Sequence, residues 1–181
     1  MIYKYNLEES DYHTHLLYTV SRSSSAVKTR NNVRLLMTLS MMIFAFIAYG
    51  NGSTGQAIYF IFLMLISFFL MPLYTRWSYK KTYLKHVRKF YKDRMSEPTN
   101  VEINLLNIHV SDSQGESIIT FDQIDTINEL NDAVFLKLKS GTSIIFPIHS
   151  IDEKDKLLLE LQTISTDHNI QWNDEKNWIW K

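Results

Sequence analysis

Leu35–Tyr49 reads LLMTLSMMIFAFIAY and Ala57–Tyr74 reads AIYFIFLMLISFFLMPLY, and neither run holds a charged residue. At about 1.5 Å of rise per residue these helices reach roughly 22 and 27 Å, against about 30 Å of bilayer hydrocarbon. The first run is short, but Val33 and the stem of Arg34 extend it, with the guanidinium reaching back to the headgroups. The competing reading is a pair of buried helices in a soluble core. Such helices carry a polar face, and Phe60–Met71 has almost none. The expectation is therefore a hairpin with spans at about 33–49 and 57–75. Its position well inside the chain separates it from a signal peptide.

Charge is partitioned around the hairpin. The chain has 19 Lys+Arg and 19 Asp+Glu in 181 residues. Residues 1–21 sum to −2, residues 22–94 to +11 and residues 95–181 to −9. Arg22, Lys28, Arg30 and Arg34 precede the first span, Arg76 to Arg94 follow the second, and the turn between has no Lys or Arg. The positive-inside rule then places both termini in the cytoplasm of an inner-membrane, multi-pass protein. The absence of Cys excludes a disulfide scaffold, a Cys-based zinc site and a thiol nucleophile.

The turn Gly50-Asn51-Gly52-Ser53-Thr54-Gly55 matches G-x-G-x-x-G in form only. A dinucleotide site needs a preceding strand and an acid about 20 positions on, and the first acid after Gly55 is Asp93. Here the glycines serve chain reversal.

Outside the spans, the alternation in 2–7 reads as a strand, and Ser10 as the cap of a helix through about Val20. Polar, basic Ser21–Asn32 joins that helix to the membrane. Arg76–Arg94 reads as a juxtamembrane helix with an apolar stripe at Tyr79, Tyr83, Val87 and Phe90. Beyond Ser96-Glu97-Pro98 come short strands: Val101/Ile103/Leu105 and Leu106/Ile108/Val110 in opposite phase across a bulge or tight bend, then Ile118–Phe121, Ile124–Glu129, Val134–Leu138 and Ile144–Ile148. Turns are expected at Ser111–Gly115 and Lys139–Thr142. Ser150-Ile151-Asp152-Glu153 reads as a capping box that opens a helix with Leu157, Leu158, Leu161 and Ile164 on one face. The expected fold class is α+β: a two-helix transmembrane hairpin and a curved β-sheet closed by a C-terminal helix. The segments are 1–32 (strand and helix), 33–75 (hairpin), 76–95 (basic helix), 96–171 (β domain with helix) and 172–181 (Trp-rich tail).

The order of these features resembles the YcxB-like family of small bacterial membrane proteins. The resemblance rests on Tyr5-Asn6-Leu7-Glu8-Glu9-Ser10-Asp11-Tyr12, the two-span hairpin, Thr120-Phe121-Asp122-Gln123-Ile124, and Ile144-Ile145-Phe146-Pro147 before an acid- and leucine-rich helix. The sequence departs from the family pattern at Phe121, where Trp is frequent, at Ile148, where a base is frequent, and in the tail past Gln171. The resemblance implies a cytoplasmic domain similar to pleckstrin-homology-like folds, and no catalytic residues.

Candidate sites follow from charge and aromatics. Arg76, Lys80, Lys81, Lys85, Arg88 and Lys89 suit contact with anionic lipid headgroups, at about 1 kcal/mol per base near the surface. Trp77, Tyr79, Trp178 and Trp180 suit interfacial anchoring; Trp178-Ile179-Trp180 suits equally a final strand on the sheet's open edge. His13 and His15 form H-x-H, but on a helix they diverge. Asp122 and Asp125 read as turn residues, and no nucleophile or phosphate-loop motif occurs. A channel or transporter role needs intramembrane polar groups, for which only Thr38, Ser40 and Ser67 stand. The expected function is non-catalytic binding or scaffolding at the membrane, without cofactor or metal. The expected partners are anionic bilayer, an unidentified protein and a second copy of the chain, and not nucleic acid. The alternative is an immunity protein against a membrane-active toxin.

Overall fold

Two long helices and two four-stranded sheets dominate the computed structural model, which describes residues 1–112 and 115–180, without the side chains of Asp93 and Ser96. Part of the expected Ser111–Gly115 turn, and Lys181, lie outside the described residues. In chain order the elements are β1 (Ile2–Tyr5), α1 (Glu9–Arg22), α2 (Ser24–Gly50), α3 (Thr54–Phe90), β2 (Thr99–Ile103), β3 (Asn107–Asp112), β4 (Gly115–Thr120), β5 (Ile124–Glu129), β6 (Ala133–Leu138), β7 (Ser143–Pro147), α4 (Lys154–Asp167) and β8 (Gln171–Asp174). The class is mixed α+β. By contact the chain divides into two units: 1–15 with 84–179, and 16–83 with Trp180.

The first unit holds both sheets. One is antiparallel throughout, in the order β1-β2-β3-β4; the other runs β7-β6-β5-β8, with β8 parallel to β5. Two sheets therefore replace the expected single curved one. Strand β1 pairs with β2 across most of the chain, Tyr5 opposite Thr99. The phase slip at Leu105/Leu106 is a tight bend: Asn104 N–H bonds the Asn107 carbonyl at 2.9 Å, and both leucines stand exposed at the tip. Gly141, at φ 91°, closes the β6–β7 turn with its N–H on the Leu138 carbonyl, a conformation that costs a residue with Cβ.

Strand β6 is buried on both faces, Ala133 through Leu136. Val134 and Leu136 share a face with Phe146 and Ile144, and the Tyr5 ring of the other sheet meets Phe146 at 5.9 Å. Phe135, on the opposite face, takes the His15 ring edge-on at 5.0 Å. Helix α4 buries Leu157, Leu161 and Ile164 as its spacing predicts, with Leu158 half-buried. Its start differs from expectation. Ile151 is extended (φ −111°, ψ 116°) and buried, so Ser150 is no cap; Glu153 takes that position without a side-chain bond. At α1 the helix begins before Ser10, and the Asp11 carboxylate accepts the Glu8 N–H at 2.8 Å.

The second unit holds α2 and most of α3. Only Ser23 separates α1 from α2, and its hydroxyl accepts the Ala26 N–H; the basic segment to Asn32 is thus helix, not linker. The expected six-residue turn narrows to Asn51–Ser53, reversed at Gly52 (φ 77°). Helix α3 runs unbroken through Pro72, so the expected juxtamembrane helix is its continuation, as far as Phe90. The two helices pack antiparallel. Ala45, Ala48 and Ala57 are buried near the turn, and the Phe44 and Phe60 rings stand 5.6 Å apart. Both helices are long and apolar enough to cross a membrane, and Phe46 is 78% and Phe69 68% exposed.

Candidate functional site

Six bases lie on α3, yet they do not share one face. At about 100° per residue, Arg76 and Lys80 fall near the Tyr79–Tyr83–Val87 side, while Lys81, Lys85, Arg88 and Lys89 cover the far side. The expected apolar stripe holds at Val87, which is fully buried, and fails at Phe90, which is 58% exposed. Lys81 Nζ sits 5.0 Å over the Trp77 ring and Lys89 Nζ 5.1 Å over Phe90. Arg88 is engaged differently: its Nε and Nη2 grip the Glu9 carboxylate at 2.9–3.0 Å. That grip holds the Glu9 carboxyl below its ordinary range.

The aromatic anchors also separate. Trp77 is exposed and Tyr79 half-buried. Trp180 is buried: its indole N–H donates to the Arg76 carbonyl at 3.1 Å, Tyr79 lies 6.1 Å away, and Arg30 sits 5.5 Å over its ring. Trp180 thus packs against α2 and α3 and forms no final strand on a sheet edge. The edge strand is β8, whose Trp172 is in register with Ile127. Trp178 is half-buried, with its N–H on the Glu175 carbonyl.

Arg76 also lines a cleft of about 260 Å³ between α2 and α3, with Arg30, Asn31, Arg34, Met71, Pro72 and Thr75. The Arg34 guanidinium lies 3.8 Å over the Phe68 ring, and its Nε is buried without a hydrogen-bond partner. Thr75 donates to the Met71 carbonyl at 2.6 Å. Sequence reading gave Arg34 only a snorkelling role and Arg30 only a flanking one. Their spacing of four was the available signal, since it puts both on one helix face.

In the first unit, ionisable groups are held by structural partners. His15 is pushed down to about 4 by burial. Asp11 is raised by burial, against the Glu8 N–H bond and His149, whose Nδ1 is 3.8 Å away. Asp122 accepts from the Thr120 hydroxyl and Asp125 from Lys137 at 2.6 Å, so these two acids do not act together. Among the described residues no three His, Asp or Glu side chains gather as metal ligands. Thr38 and Ser40 donate to the Arg34 and Met37 carbonyls of their own helix.

Comparison of the chain with protein-family models, with curated proteins and with solved structures finds no match.

Proposed function

We propose that the protein is an integral protein of a bacterial inner membrane, anchored by α2 and α3 as a hairpin, with both termini cytoplasmic. The observation that carries this reading is the outward apolar surface of the paired helices. Two helices exposing Leu36, Phe46, Ile58, Phe62, Phe69 and Leu73 to water would present far more contiguous apolar area than a soluble protein tolerates. The hydroxyls of Thr38, Ser40 and Thr75 bond to carbonyls of their own helices, as suits a hydrocarbon medium. Lys80, Lys81, Lys85 and Lys89 then meet anionic headgroups just past the second span.

The first unit is the working part of the protein, a YcxB-like, pleckstrin-homology-like domain in a non-catalytic binding or scaffolding role. Support for that likeness is two layers of short strands followed by a helix. The parallel β8 is a departure from it.

The absence of cysteine permits a direct test. Single variants Ser53→Cys and Ser140→Cys report the α2–α3 turn and the β6–β7 turn. In intact spheroplasts an impermeant maleimide is expected to label Ser53→Cys and to reach Ser140→Cys only after lysis. The chain is expected to stay with the membrane at alkaline pH. Release by carbonate, or equal labelling of both sites before lysis, refutes the reading.

A further inference from the structure

We propose that the cleft between α2 and α3 is a binding site for a phosphate oxyanion, supplied by the headgroup of an anionic phospholipid. Three arginines, Arg30, Arg34 and Arg76, line it, and none of the described lining residues is an acid. The basic character extends beyond the cleft: residues 16–83 contain seven Lys and Arg and no Asp or Glu.

Arg34 makes the strongest case. Its Nε is buried and donates to nothing. A buried cationic donor left without an acceptor is costly, and an oxyanion is the acceptor that a guanidinium fork fits best. The group is also held in place. The Phe68 face lies 3.8 Å beneath it, while Arg30 is steadied over the Trp180 ring. Trp180 in turn bonds the Arg76 carbonyl, tying the third arginine's helix into the same arrangement. Asn31 adds a neutral amide to the lining.

Size and depth narrow the ligand. A volume of about 260 Å³ falls below the ~300–1,000 Å³ of small-molecule pockets and far above the ~30 Å³ share of one water. It suits one compact charged group. Arg30 and Arg34 stand just before the apolar run of α2, and Met71 to Arg76 at the end of that of α3. If the helices span a bilayer, as proposed above, the cleft lies at headgroup level, where basic pockets between helices take acidic lipid.

The test uses the full chain in neutral-detergent micelles and two probes, phosphatidylglycerol added to the micelles and inorganic phosphate in the buffer. Saturable binding of phosphatidylglycerol is expected. Arg34→Gln and the pair Arg30→Gln/Arg76→Gln should each weaken it about tenfold or more, the scale of a charge-assisted hydrogen bond. Arg34→Lys, which keeps charge and loses the fork, should fall between. Lys28→Gln, outside the lining, should change it less than twofold. Circular dichroism of each variant checks that the helices persist; should Arg34→Gln unfold, Arg34→Lys and the pair decide. Arginine-dependent binding of inorganic phosphate alone would keep the site and overturn its lipid source. Binding of both probes that ignores the arginines, or no binding, overturns the site. Carbonate extraction judges the membrane reading separately, so a chain that stays in the membrane yet binds neither probe refutes this proposal only.

Discussion

At His15 a ring packed against Phe135 gives up its charge to burial, and stability becomes pH-dependent in a defined sense. The unfolded chain takes a proton near pH 6.5, whereas the folded one takes it near 4. Stability is then fully present above pH 6.5 and declines as pH falls toward 4, by about 1–3 kcal/mol for a ring that keeps some exposure. Asp11, raised from 3.8 by burial, works in the opposite sense at the acid end, so the interval from pH 6.5 to 5 reads His15 most cleanly. His15→Phe should flatten the thermal midpoint against pH across that interval; an unchanged slope would clear His15. A second residue-scale device is the amide ladder beside it. Asn173 Nδ2 donates to Asn128 Oδ1 at 2.9 Å, and Asn128 Nδ2 donates to Thr126 Oγ1 at 3.1 Å. Asn173→Ala removes one hydrogen bond to the buried Asn128 side chain and should cost about 0.5–1.5 kcal/mol in denaturant melts. Neither device was legible beforehand, because each joins residues that are distant in sequence. His15 showed only that it diverges from His13, and Asn173 sat in a stretch read as tail.

Among the elements, strands β1 to β7 were legible, β2 and β3 by alternation and β6 and β7 as short apolar runs bounded by turns, and β8 was not. α4 carries its period openly from Leu157 onward. QWND of β8 has one strong strand former, so its pairing rests on tertiary contact: parallel register on β5, with Lys176 Nζ 2.9 Å from the buried Glu129. Cutting the chain before Gln171 should bare the β5 edge and strand that carboxylate. The expected result is a lower thermal midpoint and concentration-dependent aggregation, measured by light scattering. Phe135→Ala, in the doubly covered β6, should cost about 3–5 kcal/mol. The single sheet expected from sequence became two because local period fixes strands but not their partners. The continuity of α3 was hidden because composition changes at Arg76, from an apolar run to a basic one, while the backbone does not. The capping box at Ser150 was a true motif match, defeated by burial of Ile151.

For the whole molecule, the segment that shaped the reading is the one with the least internal chemistry. Two apolar runs were plain at first sight, and the helices they form keep their greasy sides outward. The basic residues around them were equally visible, but their roles were not. Arg88 belongs to Glu9, and Arg34 to a cleft whose second wall lies about forty residues away in sequence. Charge counting finds such residues and cannot say which are already engaged.

The pairing of Ile2–Tyr5 with Thr99–Ile103 also sets an order of events during synthesis. Tyr5 leaves the ribosome 94 residues ahead of Thr99, a wait of roughly 5–20 s at ordinary elongation rates. The opening strand must stay unpaired while both long helices emerge and find their medium. The all-antiparallel sheet can therefore gain its β1 edge only after the greasy segments are disposed of, and a ribosome stalled before Thr99 would leave that edge waiting.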